Sequence, residues 1–405
     1  MKKSFAFILT AAALVSLSTT SCGNRTKSGP LVIWHDKEDS VIEVLEEAIH
    51  EKLPDLEFEF IRKENLTDTL KMAGSDPSTA PDMYIFAHDK IGLFDTIGIL
   101  EPIGNVIDED LLSNYQDLTL DSLSYNDRLL GVPLYYETLL FMYNKETMKE
   151  DEVPETTEEL YTYMQEVYDG RSYGFVEQHS TAYYSAGWIN GFGGTILHED
   201  GTPGLDEPET IEALKYHKKF IEYMPHGTLD YSTVNTLFTE KLADSIFAGP
   251  WLVESARENG IDLGFAPMPI INEETGARVS PYCGVQGIQV LKVAVQDEAR
   301  KAQIKEFLEA LIDPQVGADL ALRTGCAPAN EDSYNLDEIK NDELVNAIKT
   351  SAESATVMPS MPEMDIMWTE LGKLLTAVNM NNGDVETECA KYQAEAEDLI
   401  AAMRA

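Results

Sequence analysis

The chain has 405 residues, 43% of them apolar, enough for a large core divided between two lobes. Asp and Glu number 71 against 30 Lys and Arg, a formal charge of −41. A surface this acidic repels nucleic acid and anionic lipid headgroups within a Debye length, disfavours a polyanionic ligand, and keeps the chain soluble, as in a saline habitat.

The amino terminus carries an address. Met1-Lys2-Lys3 is a basic start, Phe5 to Leu17 is an apolar run too short for a membrane span, and Ser18 to Ser21 lead to Cys22. This is a bacterial secretory signal, and it resembles a lipoprotein signal whose Cys22 becomes the lipidated first residue. The leucine usual three residues before such a cysteine is Thr19 here, and the nearest is Leu17. Plain cleavage near Cys22 is the alternative. No later stretch is long and apolar enough to span a bilayer. The mature chain is therefore expected in the periplasm or at the cell surface, anchored to a membrane by lipid only, with residues 23–30 as a polar tether.

Leu31 to Trp34 read as a first strand. Ser40 and Glu43 have capping-box spacing, and Val41, Leu45, Ala48 and Ile49 keep helical period. Leu56, Phe58 and Phe60 alternate with Glu57 and Glu59, a half-exposed strand. Strands alternating with helices predict an α/β layer with a mostly parallel sheet. Pro81 to Gly92 begins as an apolar run and ends in aromatic, acidic and basic groups. A buried strand reads this way when it delivers polar residues to a crevice at its carboxyl end.

The pattern changes at Leu129. Gly131 to Glu137 leads into the apolar run Leu139–Tyr143, and Pro133 argues against a central strand and for a crossing between domains. Helices are predicted at Thr157–Tyr168 and Glu207–Met224, with an aromatic, Gly-rich loop from Tyr183 to Gly194 between them. Ser245–Phe247 is a strand running into Gly249-Pro250-Trp251, and Gly264–Met268 and Gly284–Lys292 are further extended pieces. A helix follows at Asp297–Ile312, and a helical tail runs from Asn341 to Ala405, interrupted at Met358–Pro362.

Trp34, Phe86, Tyr183 or Tyr184, Trp251 and Trp368 fall beyond strands or in loops, and Asp36, Asp89 and Glu137 accompany them. Sugars need this mixture, because pyranose C–H faces pack on aromatic rings and hydroxyls donate to carboxylates. Core packing explains any one aromatic better; the recurrence beside carboxylates points to a neutral, hydroxyl-rich ligand. Asp89 and Glu137 would also suit acid–base work on a glycosidic bond, an enzyme reading that ranks below binding. There is no nucleophile elbow or Walker loop, and Gly191 to Gly194 lacks dinucleotide spacing. The 7 histidines show no metal-ligand pairing, and Asp108-Glu109-Asp110 reads as a solvated turn, so no metal and no cofactor are expected. His88 reads as a structural hydrogen-bonding residue. Cys283 and Cys326 could pair, while three buried free thiols, with Cys389, fit equally well.

Five ordered motifs carry a resemblance. They are Leu31–Trp34, Pro81–Gly92, Glu137 followed by Tyr143-Asn144-Lys145, Ala248–Trp251, and Met358–Pro362 with Trp368. In these the chain resembles the maltodextrin-binding family of extracellular solute-binding proteins that feed ABC importers. The resemblance implies a two-lobed periplasmic-binding-protein fold of type II, with sheets flanked by helices and a hinge. The lobes would be residues 31–135 with 288–337, and 140–284 with 344–405, with crossings near Tyr135–Thr138, Cys283–Gly287 and Leu336–Leu344. It places ligand contacts at Asp36, Lys37, Phe86, Ala87, Asp89, Lys90, Glu137, Tyr183 or Tyr184, Trp251 and Trp368. It implies a monomer that binds a neutral mono- or oligosaccharide, first of all a maltodextrin, and meets ABC permease subunits in the inner membrane. The chain departs from the pattern with Phe86 for Trp, Lys90 for Arg, Thr369 for Tyr, Gly372 for Arg, and Thr181 near an expected Glu. Losing an Arg fork removes bidentate hydroxyl contacts, so a stacking floor reading different hydroxyls is expected.

Overall fold

The computed structural model describes residues 29–227 and 229–405; Cys22, the signal and the tether as far as residue 28 lie outside the described residues. Among the described residues no helix is long and apolar enough to cross a membrane.

Asp82 is the corner from which the larger sheet is built. Its fully buried carboxylate takes two hydrogen bonds from Arg300, at 3.1 and 2.8 Å, and one from the Val32 N–H at 2.8 Å. Arg300 also donates to the Gly29 and Pro30 carbonyls at 2.8 and 2.6 Å. A buried charge pair is tolerable only when its remaining hydrogen-bonding groups are met, as these are. The cluster locks the strands Leu31–His35 and Met83–Ala87 to the helix Glu298–Leu311.

The larger sheet runs, edge to edge, Ala327–Pro328, Val132–Thr138, Tyr282–Leu291, Met83–Ala87, Leu31–His35 and Phe58–Arg62. Leu31–His35 is parallel to both of its neighbours, whereas Tyr282–Leu291 is antiparallel to Met83–Ala87 and to Val132–Thr138. A second sheet, Leu263–Ala266, Leu140–Asn144 and Ser245–Ala248, is antiparallel throughout. The α/β class is as expected, but parallel pairing is concentrated in the first three strands rather than running through both sheets. Those strands are reached through crossover helices; Tyr282–Leu291 comes back from the second sheet and runs opposite to Met83–Ala87 and Val132–Thr138 on its two sides.

The chain passes from the first sheet to the second at Leu139, between Val132–Thr138 and Leu140–Asn144. Contrary to expectation, Pro133 lies inside a strand with neighbours on both sides. The ladder shifts register between Gln286 and Gly287, the residue opposite Pro133, and this irregularity accommodates a residue that cannot donate. The helix expected to start on a Ser40 capping box begins instead at Asp39, with Glu38 at the cap position making no side-chain cap bond.

The segment read as a Gly-rich loop is the helix Ala182–Gly191. Its glycines serve packing. A Cβ at Gly191 would lie 2.7 Å from the Arg278 carbonyl oxygen, and one at Gly187 only 3.1 Å from the Pro281 nitrogen. The helix is thereby pressed against the chain entering Tyr282–Leu291. Cys283, Cys326 and Cys389 are buried and free, and burial pushes each thiol up to about 12.

Candidate ligand-binding site

Strand Met83–Ala87 ends in Ala87, and the short turn His88–Lys90 follows at once. His88 is fully buried: its Nδ1 accepts from the Val285 N–H at 3.0 Å and its Nε2–H donates to the Met358 carbonyl at 2.8 Å. Burial lowers its pKa, so it stays neutral and structural, as expected from the sequence. The next turn is fixed by Gly92, whose N–H donates to the Ser360 carbonyl at 3.0 Å and where a Cβ would lie 2.3 Å from that oxygen. His88 and Gly92 together hold Met358–Pro362 against the first sheet. That segment leads directly into the helix Met364–Leu375, which carries Trp368.

A cavity of about 240 Å³ opens between these elements. Ala87, Asp89, Glu137, Tyr183, Trp251 and Trp368 line it, with Gly284, Gln286 and Met358. Six of the residues singled out in the sequence thus meet in one space. One wall is an aromatic arc: the Tyr183 ring lies 6.3 Å from Trp251 and 6.4 Å from Trp368, centroid to centroid. Two carboxylates, Asp89 and Glu137, share the cavity with these rings. The Trp368 indole N–H donates to Asp89 Oδ2 at 2.9 Å, fixing the ring edge. Rings for C–H faces and carboxylates for hydroxyls are what a neutral sugar requires.

Glu137 is the electrostatic centre. Burial pushes its carboxyl up to about 7, against the pull of the Lys37 charge and of the Gln286 amide, which donates to Oε1 at 2.8 Å. From Glu137 and Trp251 a cleft of about 590 Å³ continues between residues 38–43 and 250–258.

The other expected contacts stand beside the cavity rather than on its wall. Lys37 pairs with Asp36 at 2.8 Å and sits 5.8 Å from the Phe86 ring centroid, so these three form one cluster. Lys90 is held between Asp89 at 3.1 Å and Asp365 at 3.0 Å. Tyr184 meets Trp251 edge-on at 6.5 Å, and burial raises its pKa. Trp34 is buried in the sheet with Lys63 over its ring at 4.5 Å, and so belongs to packing.

Sequence reasoning missed Gln286 and Met358. Gln286 was legible only as strand, and the same strand carries a second glutamine, Gln289, so its type alone did not mark it. It also missed the support under Tyr183. The Glu177 carboxylate, fully buried, accepts from the Trp188 indole N–H at 3.1 Å to each oxygen and pairs with His217. This ties the helix bearing Tyr183 to the helix Pro208–Ile221. Among the described residues no group of His, Cys, Asp and Glu is arranged to hold a metal ion.

The sequence pattern described as bacterial extracellular solute-binding protein matches residues 37–318. The maltotriose-binding protein of Pyrococcus abyssi is 32% identical over 91% of this chain and 82% of its own length. The galactooligosaccharide-binding protein of Bacillus subtilis is 29% identical over 98% of both. Among solved structures, a cyclo/maltodextrin-binding protein complexed with maltotetraose superposes with a TM-score of 0.78 at 25% identity, over 93% of this chain and 99% of that one. With its two sheets, its aromatic arc and its carboxylates, this chain belongs to the family of bacterial extracellular solute-binding proteins.

Proposed function

We propose that this protein captures a neutral oligosaccharide in the cavity around Glu137 and hands it to an ABC importer. The observation that carries this reading is the convergence of Trp251, Tyr183 and Trp368 with Asp89 and Glu137 on one cavity. A maltodextrin is the first candidate, and another α-glucoside or oligosaccharide follows, since the relatives are named for maltotriose and for galactooligosaccharide. Asp36, Lys37, Phe86, Lys90 and Tyr184 support the residues that touch the sugar or contact its outer units.

The lobes in this reading are residues 31–135 with 288–337 and residues 140–284 with 344–405. Ala87 and Asp89 belong to the first, Tyr183, Trp251 and Trp368 to the second, and Glu137 to the crossing. Sugar contacting both walls favours the closed arrangement. The closed monomer docks on permease subunits of the inner membrane, tethered outside the cytoplasm through lipid on Cys22.

Small-angle scattering with and without maltotriose tests closure: the radius of gyration is expected to fall on binding. Bound sugar with an unchanged scattering curve would contradict it. A glycosidase reading draws on the raised Glu137 carboxyl sharing a cavity with Asp89. Against it, Asp89 is already committed to Trp368 and Lys90. Release of reducing ends from maltodextrin over time would favour the enzyme; their constancy favours the binder.

A further inference from the structure

Asp89 and Trp368 line the cavity, and behind them the side chains close into a ring. The ring crosses from the turn His88–Lys90 to the helix Met364–Leu375. The Trp368 indole N–H and the Lys90 ammonium both meet Asp89 Oδ2, at 2.9 and 3.1 Å. Lys90 reaches on to Asp365 Oδ1 at 3.0 Å. Asp365 stands three residues before Trp368, so the two are neighbours on one helix face and the ring is complete. From outside it, Lys71 of the helix Leu66–Ala73 takes Asp365 Oδ2 at 3.1 Å.

The ring gives the two oxygens of Asp89 different roles. Both donors fall on Oδ2, and among the described residues no hydrogen bond or ion pair reaches Oδ1. Asp89 therefore lines the cavity with one oxygen fixed by the protein and the other without a protein partner.

The ring is also poorly wetted: the Lys90 side chain is 11% exposed and that of Asp89 9%. Burial works to lower the Lys90 pKa, but the Asp89 and Asp365 charges outweigh it and raise the value. Burial likewise works to raise the Asp365 pKa, and Lys90 and Lys71 outweigh it and hold the carboxyl below its ordinary range. Lys90 and Asp365 thus stay ionised at neutral pH. A nearly buried ammonium needs full pairing, and Asp89 shares its Oδ2 with the indole. Asp365 supplies the second carboxylate. The resemblance sets Lys90 among the ligand contacts, yet its ammonium is taken up by Asp89 and Asp365, away from the cavity wall.

We propose that Asp365 is a positioning residue for ligand capture: through Lys90 it fixes Asp89 and Trp368 relative to each other, so that a hydroxyl acceptor and a stacking ring face the ligand in a set geometry. This rests on the sugar-binding reading and adds to it a residue that stands off the cavity wall. In the lobe assignment above, Lys71, Asp89 and Lys90 belong to the first lobe, Asp365 and Trp368 to the second. The ring then contributes to the closed arrangement, and affinity for an uncharged ligand acquires a salt-sensitive part.

Calorimetric titration of the full chain with maltotriose, or with galactotriose where maltotriose does not bind, tests this. It is run at ~0.01 M and ~1 M salt, where the Debye length is ~30 and ~3 Å. Asp365→Asn keeps the shape and removes the charge. It is expected to bind about fivefold more weakly than the wild type at low salt and within about twofold of it at high salt. Glu146→Gln, which removes one charge from an exposed pair with Lys241, is the control and should match the wild type at both. Lys90→Met is expected to lose about as much as Asp365→Asn with the same salt trend, and the double variant little more than either. Thermal unfolding of each variant reports its fold, and Lys90→Met carries the salt comparison if Asp365→Asn does not fold. Three results overturn the positioning role and leave the sugar reading standing: wild-type affinity in Asp365→Asn at low salt, a loss equal at both salts, or losses that add in full in the double variant. A wild type that binds neither sugar overturns both.

Discussion

Trp368→Ala is expected to weaken sugar binding by about 30-fold or more, a loss of ~2 kcal/mol. The ring is half-buried rather than part of the core, and it packs beside Tyr183 and, at 5.6 Å and edge-on, beside Tyr282. Its N–H is already satisfied by Asp89, so the indole is held in place before any ligand arrives. A rigid, pre-placed aromatic surface contributes affinity without an ordering cost at binding. The substitution should leave the fold intact. Met364, Met367, Leu371, Leu374 and Leu375, all buried, seat the helix without Trp368. Calorimetric titration with maltotriose measures the effect, and near-wild-type affinity would return Trp368 to a packing role.

The second large effect is expected at Glu137. Its carboxyl, raised to about 7 by burial, lies well above the ordinary glutamate value, so the folded state binds a proton that the unfolded chain releases. Folding stability from this group is fully present below the ordinary glutamate range and is lost as pH rises through about 7. Glu137→Gln removes that dependence and should melt higher than the wild type above pH ~7, since the buried charge is gone. Binding runs the other way. A carboxylate accepts hydroxyl hydrogen bonds about twice as strongly as a neutral group. Wild-type affinity should therefore climb as pH rises through about 7, whereas the Gln variant should bind roughly tenfold more weakly at pH 8 and show no step. Melting and titration at pH 6 and pH 8 separate the two effects. A pH step that persists in the variant would remove Glu137 from this role.

Much of this site was legible before the structure, for a definable reason. Asp89 and Trp251 stand just beyond the ends of strands, where side chains face a crevice rather than a core, whereas Trp368 reaches the cavity from inside the helix Met364–Leu375. Their type and position together carried the signal. Glycine misled at 187 and 191, because its freedom suggested a loop while its lack of bulk served close packing of a helix. Pro133 misled likewise, since a shift in register that no local pattern announces makes room for it. Gln286 and the Glu177–Trp188–His217 cluster depend on contacts between distant segments, so sequence alone could not place them. Lys37 and Phe86 illustrate a third case. They lie close to the expected place, but the Lys37 charge acts on the pocket through Glu137 rather than from its wall.

Thermal unfolding in the presence of maltotriose tests the central claim most directly. A ligand that binds only the folded chain adds about 2.7 kcal/mol at ~100 times its Kd. A melting temperature that rises steadily with maltotriose, and does not move with a polyanion of similar size, is the predicted result. A melting temperature unmoved by maltotriose and by every other neutral oligosaccharide would contradict it.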